Sequence, residues 1–132
     1  MNHRRIAVFD FIETECDYTA EVIRLYFRGI GSEIPEVTTW TENMQFRQHL
    51  MDMAKRNESY DMVFISADNM PGTDLAHTVR DIDKRCPLFL VSKSVEFAVE
   101  GFRMQALDYL TKPVSPERIG EAIARIASSA DD

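Results

Sequence analysis

Asp10, the stretch Ser66-Ala67-Asp68, Ser92 and Lys112 are the residues whose types and placement could act together. Each follows a short apolar run, and the clearest is Met62-Val63-Phe64-Ile65, which climbs into Ser66 and breaks at Met70-Pro71-Gly72. A carboxylate, a hydroxyl and a lysine gathered on one rim can hold a phosphoryl group. The ammonium pairs with phosphoryl oxygen, the hydroxyl donates to it, and acidic residues hold a hard divalent cation through oxygen. Singly, each residue has a plainer reading. Asp10 could cap a helix or face solvent, Ser92 could sit in a turn, and Lys112 could lay its stem along apolar surface. Their shared position at the ends of apolar runs is what argues for a site.

The elements that must position them follow from hydrophobic period. Ile6-Ala7-Val8-Phe9 reads as a strand buried on both faces. Thr14 with Asp17 three residues on resembles a capping box, opening a helix with Tyr18, Val22, Leu25 and Tyr26 inward that stops near Gly29 and Gly31. Glu36-Val37-Thr38-Thr39-Trp40 is a weaker strand, with Trp40 partly exposed. Thr41 is the expected cap of a helix burying Phe46, Leu50, Met53 and Ala54. Met62 to Ile65 is the third strand, and Leu75, Val79 and Ile82 stripe the next helix. Leu88 to Val91 is the fourth strand. Val95, Ala98, Val99 and Phe102 mark a helix after it, with Phe102 expected in the core and Phe97 open between core and interface. Asp108-Tyr109-Leu110 is a short fifth strand. The last helix has Ser115 as N-cap, Pro116 at its first position and Ile119, Ala122, Ile123, Ile126 and Ala127 inward.

Strands alternating with helices imply right-handed crossovers and a parallel sheet covered on both faces, an α/β fold. In such sheets ligands gather outside the carboxyl ends of the strands. The 132 residues, 45% hydrophobic, suffice for one domain with one core. A formal charge of −7, spread along the chain, disfavours nucleic acid as a direct partner. No apolar run approaches the roughly 20 residues of a membrane span, and the opening segment does not read as a signal peptide. Cys16 and Cys86 are isolated, so a reduced, cytoplasmic setting is expected. His3, His49 and His77 have no metal-ligand spacing and read as surface or helix histidines. The seven methionines read as core filler.

At this point the sequence resembles the receiver domain of two-component response regulators, over about residues 4–127. The resemblance rests on YDMVFIS followed by MPGTDL, on Leu90-Val91-Ser92 with Val95 to Phe102, and above all on Ala106-Leu107-Asp108-Tyr109-Leu110-Thr111-Lys112-Pro113-Val114. The phrase ALDYLTKPV is similar to receivers that precede LytTR-type DNA-binding domains. The resemblance implies a CheY-like, flavodoxin-like doubly wound sheet of five parallel strands, (βα)5, in three α/β/α layers. The resemblance covers the core of what length makes one domain, residues 1–132, while 128–132 read from their own residues as a frayed tail or the start of a linker. It gives Asp10 a place in an acidic magnesium pocket, Ser92 the role of switch hydroxyl, Tyr109 that of a rotamer-switching aromatic and Lys112 that of phosphoryl-bridging lysine. It makes the Lys112–Pro113 bond a candidate for the cis form.

The pattern breaks at its centre. Counting forward from Tyr60-Asp61, the family's acceptor aspartate falls on Ser66; counting back from Met70-Pro71, it falls on Ala67. Neither is a carboxylate. The second pocket acid is replaced by Phe11, so Mg²⁺ binding at Asp10 is expected to be weak or absent, and no other cofactor is expected. A serine hydroxyl with no evident base beside it is a poor acceptor. Asp68 could turn back into the pocket with Glu13 as substitute metal ligand, but the favoured reading is that Asp68 or Asn69 forms an Asx-type turn before Pro71.

The expected function is therefore that of a pseudo-receiver, a non-enzymatic signalling module in transcription regulation that works by protein contacts. The contacts would use the fourth helix, fifth strand and fifth helix, with the mixed charges Glu96, Glu100, Arg103, Asp108, Glu121 and Arg125. A second copy of the domain and a histidine kinase are the partners implied. The alternative is a working phosphorelay receiver with Asp68 as displaced acceptor. A flavodoxin-like enzyme or cofactor carrier ranks last, because Asp10-Phe11-Ile12-Glu13-Thr14-Glu15 is acidic and lacks the glycines of a phosphate cradle.

Overall fold

Uninterrupted apolar runs make the three central strands, β1 (Arg5–Phe9), β3 (Met62–Ser66) and β4 (Leu88–Ser92), whose side chains are almost wholly buried on both faces. The edges are β2 (Glu36–Trp40) and β5 (Asp108–Thr111), where burial is partial and the sequence signal correspondingly weak. The structure, a computed structural model, describes residues 4–130. Within them the strands form one parallel sheet in the order β2-β1-β3-β4-β5.

The five helices are α1 (Glu13–Gly29), α2 (Asn43–Lys55), α3 (Met70–Ile82), α4 (Ala98–Arg103) and α5 (Pro116–Ala130). One core cluster joins Cys16, Ile23 and Phe27 of α1 to Ile119 and Ala122 of α5 beneath the sheet. The other joins Phe46, Leu50 and Met53 of α2 to Leu75 and Val79 of α3 on the opposite face. The result is the expected three-layer α/β/α arrangement. No described helix is long and apolar enough to cross a membrane. Cys16 and Cys86 are free and buried, and burial pushes their thiols up to about 11 and about 12 respectively.

Several local expectations need correction. α1 begins at Glu13 with Ile12 at the cap and no side-chain cap, so Thr14 does not open it. Its buried face is Cys16, Thr19, Ala20, Val22, Ile23 and Phe27; Tyr18 and Leu25 are exposed. α2 starts after Glu42 rather than at a Thr41 cap, and Ala54 is exposed. Ser115 does cap α5, accepting from the Arg118 N–H at 3.2 Å. That helix runs to Ala130, and Asp131, Asp132 and His3 lie outside the described residues.

The largest correction concerns α4. Phe102 is 88% exposed, and Val95 and Val99 are exposed with it, while Phe97 packs against the core. The reason is steric. Gly101 is the buried residue of this six-residue helix, and a Cβ there would stand 3.0 Å from Leu90 Cδ1 and 3.5 Å from Tyr109. The helix lies on its glycine, so the apolar stripe faces out.

Candidate functional site

Strand order reverses between β1 and β3, and that switch point is where an open α/β sheet leaves a crevice. The register fixes what meets there. Phe9 pairs with Ile65 and Ser66 with Val91, so Asp10, Ser66 and Ser92 leave three adjacent strands at one level. Ser92 in turn pairs with Thr111, which brings Lys112 to the same rim. The chain then turns through a cis Lys112–Pro113 bond.

Ser66 and Ala67, the two positions counted for the acceptor, stand in different environments. Ser66 is buried and its hydroxyl faces the rim, 3.3 Å from Asp68 Oδ2 and 3.5 Å from Lys112 Nζ. Ala67 is wholly buried in the core cluster between the sheet and helices α2 and α3. The rim position belongs to Ser66.

Asp68 and Asn69 divide the tasks that the sequence left open between them. Asn69 is the N-cap of α3, its Oδ1 accepting from the Gly72 N–H at 2.9 Å. That frees Asp68, which does not make the turn and instead reaches back into the pocket. Its Oδ1 accepts from Ser92 Oγ at 2.9 Å and from the Lys93 backbone N–H at 2.6 Å; its Oδ2 accepts from Lys112 Nζ at 2.7 Å. Close approach of α3 to β3 pins this loop. A Cβ on Gly72 would lie 2.1 Å from the Ser66 carbonyl oxygen, so only glycine lets the helix begin there.

Lys112 is the hub. Its side chain is 7% exposed, and Nζ lies 2.7 Å from each of Asp10 Oδ2, Glu15 Oε1 and Asp68 Oδ2. Three N–H donors meet three carboxylates, which satisfies the ammonium completely. Asp10 spends its other oxygen on the Ile12 N–H at 2.9 Å, and Glu15 also pairs with Lys93 at 3.2 Å.

The titration behaviour follows. Burial works against the Lys112 ammonium, but Asp10, Asp68 and Glu15 outweigh it and push its pKa up. Burial would raise the Asp68 carboxyl, yet the hydrogen bonds from Lys112, Lys93 and Ser92 together hold it below its ordinary range. Lys112 likewise holds Glu15 down, with Lys93 adding to it against the opposing effect of burial.

Glu15 and Lys93 are the site residues that sequence reasoning missed. Glu13, a substitute metal ligand only in the rival reading of Asp68, is exposed. The available signal was helical phase: Glu15 stands one turn before buried Thr19, whereas Glu13 is roughly 200° around the helix from Glu15. Phe11 is 38% exposed and packs its ring edge-on against Phe9, with centroids 4.9 Å apart.

Oxygens of Asp10, Glu15 and Asp68 lie within 4.8 Å of one another, a spacing that a hard cation could bridge. Lys112 Nζ, however, already contacts all three at 2.7 Å. The donor set is that of an ammonium cage, and Mg²⁺ does not fit it without expelling the lysine. Tyr109, the last of the expected switch residues, is half-buried and donates its hydroxyl to the Ser94 carbonyl at 2.9 Å.

The same architecture recurs in solved structures. The chain is similar to a CheY-like response regulator receiver domain from Methanospirillum hungatei, with a TM-score of 0.75, 20% identity and 98% of both chains covered. It is also similar to the BeF3-activated receiver domain of DrrB (TM-score 0.66, 18% identity, 96% of this chain and 99% of that one). Among curated proteins it is 32% identical over 72 residues to the sensory transduction protein LytR of Staphylococcus haemolyticus, which is 53% of this chain and 28% of that protein. The LytR of Staphylococcus epidermidis is 28% identical over 75 residues, 30% of its length. The matched stretch is thus under a third of these relatives. No family model matches the chain. The chain has the fold of the response regulator receiver domain.

Proposed function

We propose that this domain is a pseudo-receiver, a signalling module of a two-component regulator that works through protein contacts rather than through an aspartyl phosphate. The observation that carries the reading is the end of β3, where the hydroxyl of Ser66 faces the pocket and no carboxylate stands at residue 66 or 67. Asp68, the nearest acid, has both oxygens engaged by Ser92, Lys93 and Lys112. Those donors would be needed to hold an incoming phosphoryl group, and the acid that would receive it consumes them.

The contact surface of this reading is the face of α4, β5 and α5. Exposed Val95, Val99 and Phe102 give it an apolar centre, with Glu96, Arg103, Glu121 and Arg125 around it. Asp108, clamped by Arg118 at 2.9 Å and Arg125 at 3.0 Å, holds β5 to α5 within that face. A second copy of the domain or an output partner would pair there. The resemblance to receivers that precede LytTR-type domains, together with the similarity to LytR proteins, supports a place in transcription regulation in the cytoplasm, with DNA contact left to another part of such a regulator.

A second reading has one observation in its favour, the turn of Asp68 into the pocket. It makes Asp68 a displaced phosphoacceptor served by a histidine kinase. Intact mass after incubation with a small-molecule phosphodonor and Mg²⁺ separates the two. No adduct, beside a working receiver as control, is the expected result. An adduct present in the wild type and lost in Asp68→Asn overturns the contact-only reading.

A further inference from the structure

We infer that the Asp68 carboxylate acts in cis as the chain's own substitute for a phosphoryl group, occupying the two donors to which the resemblance gives phosphoryl roles, Ser92 Oγ and Lys112 Nζ, together with the Lys93 backbone N–H. This rests on the pseudo-receiver reading and deepens it: the domain carries its own substitute for the phosphoryl group. A cation, a hydroxyl and a backbone amide converge on a single anionic group at 2.7, 2.9 and 2.6 Å. That is the donor set by which proteins hold phosphate oxygens.

Three features of the chain deliver the carboxylate. β3 ends at Ser66, so Asp68 emerges two residues past the rim. Asn69 takes over the capping of α3, and Gly72 lets that helix start against the Ser66 carbonyl. The short loop between, pinned at both ends, sets Asp68 within reach of those donors.

The consequence lies in the β4–α4 loop. Asp68 holds both the Ser92 hydroxyl and the Lys93 amide, and Ser92 Oγ also accepts from the Ser94 N–H at 3.2 Å. The Ser94 carbonyl in turn anchors the Tyr109 hydroxyl. One side chain therefore fixes the segment leading to Val95 and α4, with no phosphodonor required. The domain is held in a single, anion-engaged arrangement.

The test is an NMR titration of the 132-residue chain with inorganic phosphate, read at the Lys93 amide. In the wild type that resonance lies far downfield, as a short charge-assisted hydrogen bond dictates, and phosphate leaves it unmoved. In Asp68→Ala it moves upfield, and phosphate returns it downfield with saturation. Adding Ser92→Ala to that variant weakens phosphate binding about tenfold, the loss of one hydrogen bond to a charged group. Isosteric Asp68→Asn, which keeps the loop packed, gives a smaller upfield shift of the same sign. The inference is overturned if the Lys93 amide is the same in wild type and both variants, if phosphate binds the wild type as tightly as Asp68→Ala, or if Asp68→Ala shows no saturable response. A phosphodonor adduct on the wild type is a separate readout. It would sink the contact-only reading whatever the Lys93 resonance does.

Discussion

Replacing Lys112 with Met keeps the buried stem and removes the charge that three carboxylates share. Asp10, Glu15 and Asp68 would then face one another within 4.8 Å with no ammonium between them. At that separation each pair repels by about 3.5 kcal/mol at an effective dielectric of about 20, and by about 0.9 kcal/mol in water. Protonating one carboxyl caps the penalty. Moving a carboxyl from its ordinary pKa of about 4 to 7 costs about 4 kcal/mol at pH 7, but only about 1.4 kcal/mol when the pH is 5. Asp68 and Glu15 are 21% and 27% exposed, so solvent screens part of this, and about 3 kcal/mol at pH 7 is expected. With a urea m-value of about 2 kcal/mol/M, the midpoint falls by about 1.5 M at pH 7. The pH dependence carries the signature. In the wild type, Asp68 and Glu15 have depressed pKa values, so their contribution is present above the unfolded carboxylate range and lost below it on acidification. In the variant the crowded carboxylates titrate above that range, so the deficit against wild type shrinks to about half or less by pH 5. Paired urea melts at pH 7 and 5 are the assay. A loss under about 1 kcal/mol at pH 7, or a deficit independent of pH, would refute the cage as described.

Gly72→Ala forces a Cβ to 2.1 Å from the Ser66 carbonyl, and α3 must shift; a loss of about 2–3 kcal/mol in urea unfolding is expected, and a neutral result would mean the contact is loose. His49 stacks on Trp40 at 4.6 Å and meets the Tyr60 hydroxyl at 2.8 Å, and burial, with Arg5 and Arg56, lowers its pKa. Its stabilising contribution is therefore present above the unfolded histidine value of about 6.5 and lost as pH falls through the folded one. Stability should drop as pH falls from 7.5 to 5.5, and His49→Gln should flatten that drop. Phe102→Ser should cost under about 0.5 kcal/mol, because the ring is solvent-exposed, while weakening any concentration-dependent self-association seen by sedimentation; a cost of several kcal/mol would return Phe102 to the core.

Much of this protein is decided by local composition. The order of strands and helices, the buried runs at β1, β3 and β4, and the placing of Asp10, Ser66, Ser92 and Lys112 at strand ends follow from period and punctuation, which are properties of neighbouring residues. So does the lack of a carboxylate at residues 66 and 67, which no folding can restore. What the tertiary structure decided is direction. Val95, Val99 and Phe102 have true helical spacing, but period says nothing about which side of a helix meets the sheet; Gly101 against Leu90 settled that. Thr14 looked like a cap, yet the packing of Cys16 and Thr19 set the phase of α1 and so brought in Glu15 rather than Glu13. Asp68 and Asn69 are near equals as turn formers in isolation. Only Lys112, 44 residues away, and Ser92, 24 away, give one of them a reason to leave the turn, because the charges that attract Asp68 are brought to it by the sheet register and not by the chain beside it.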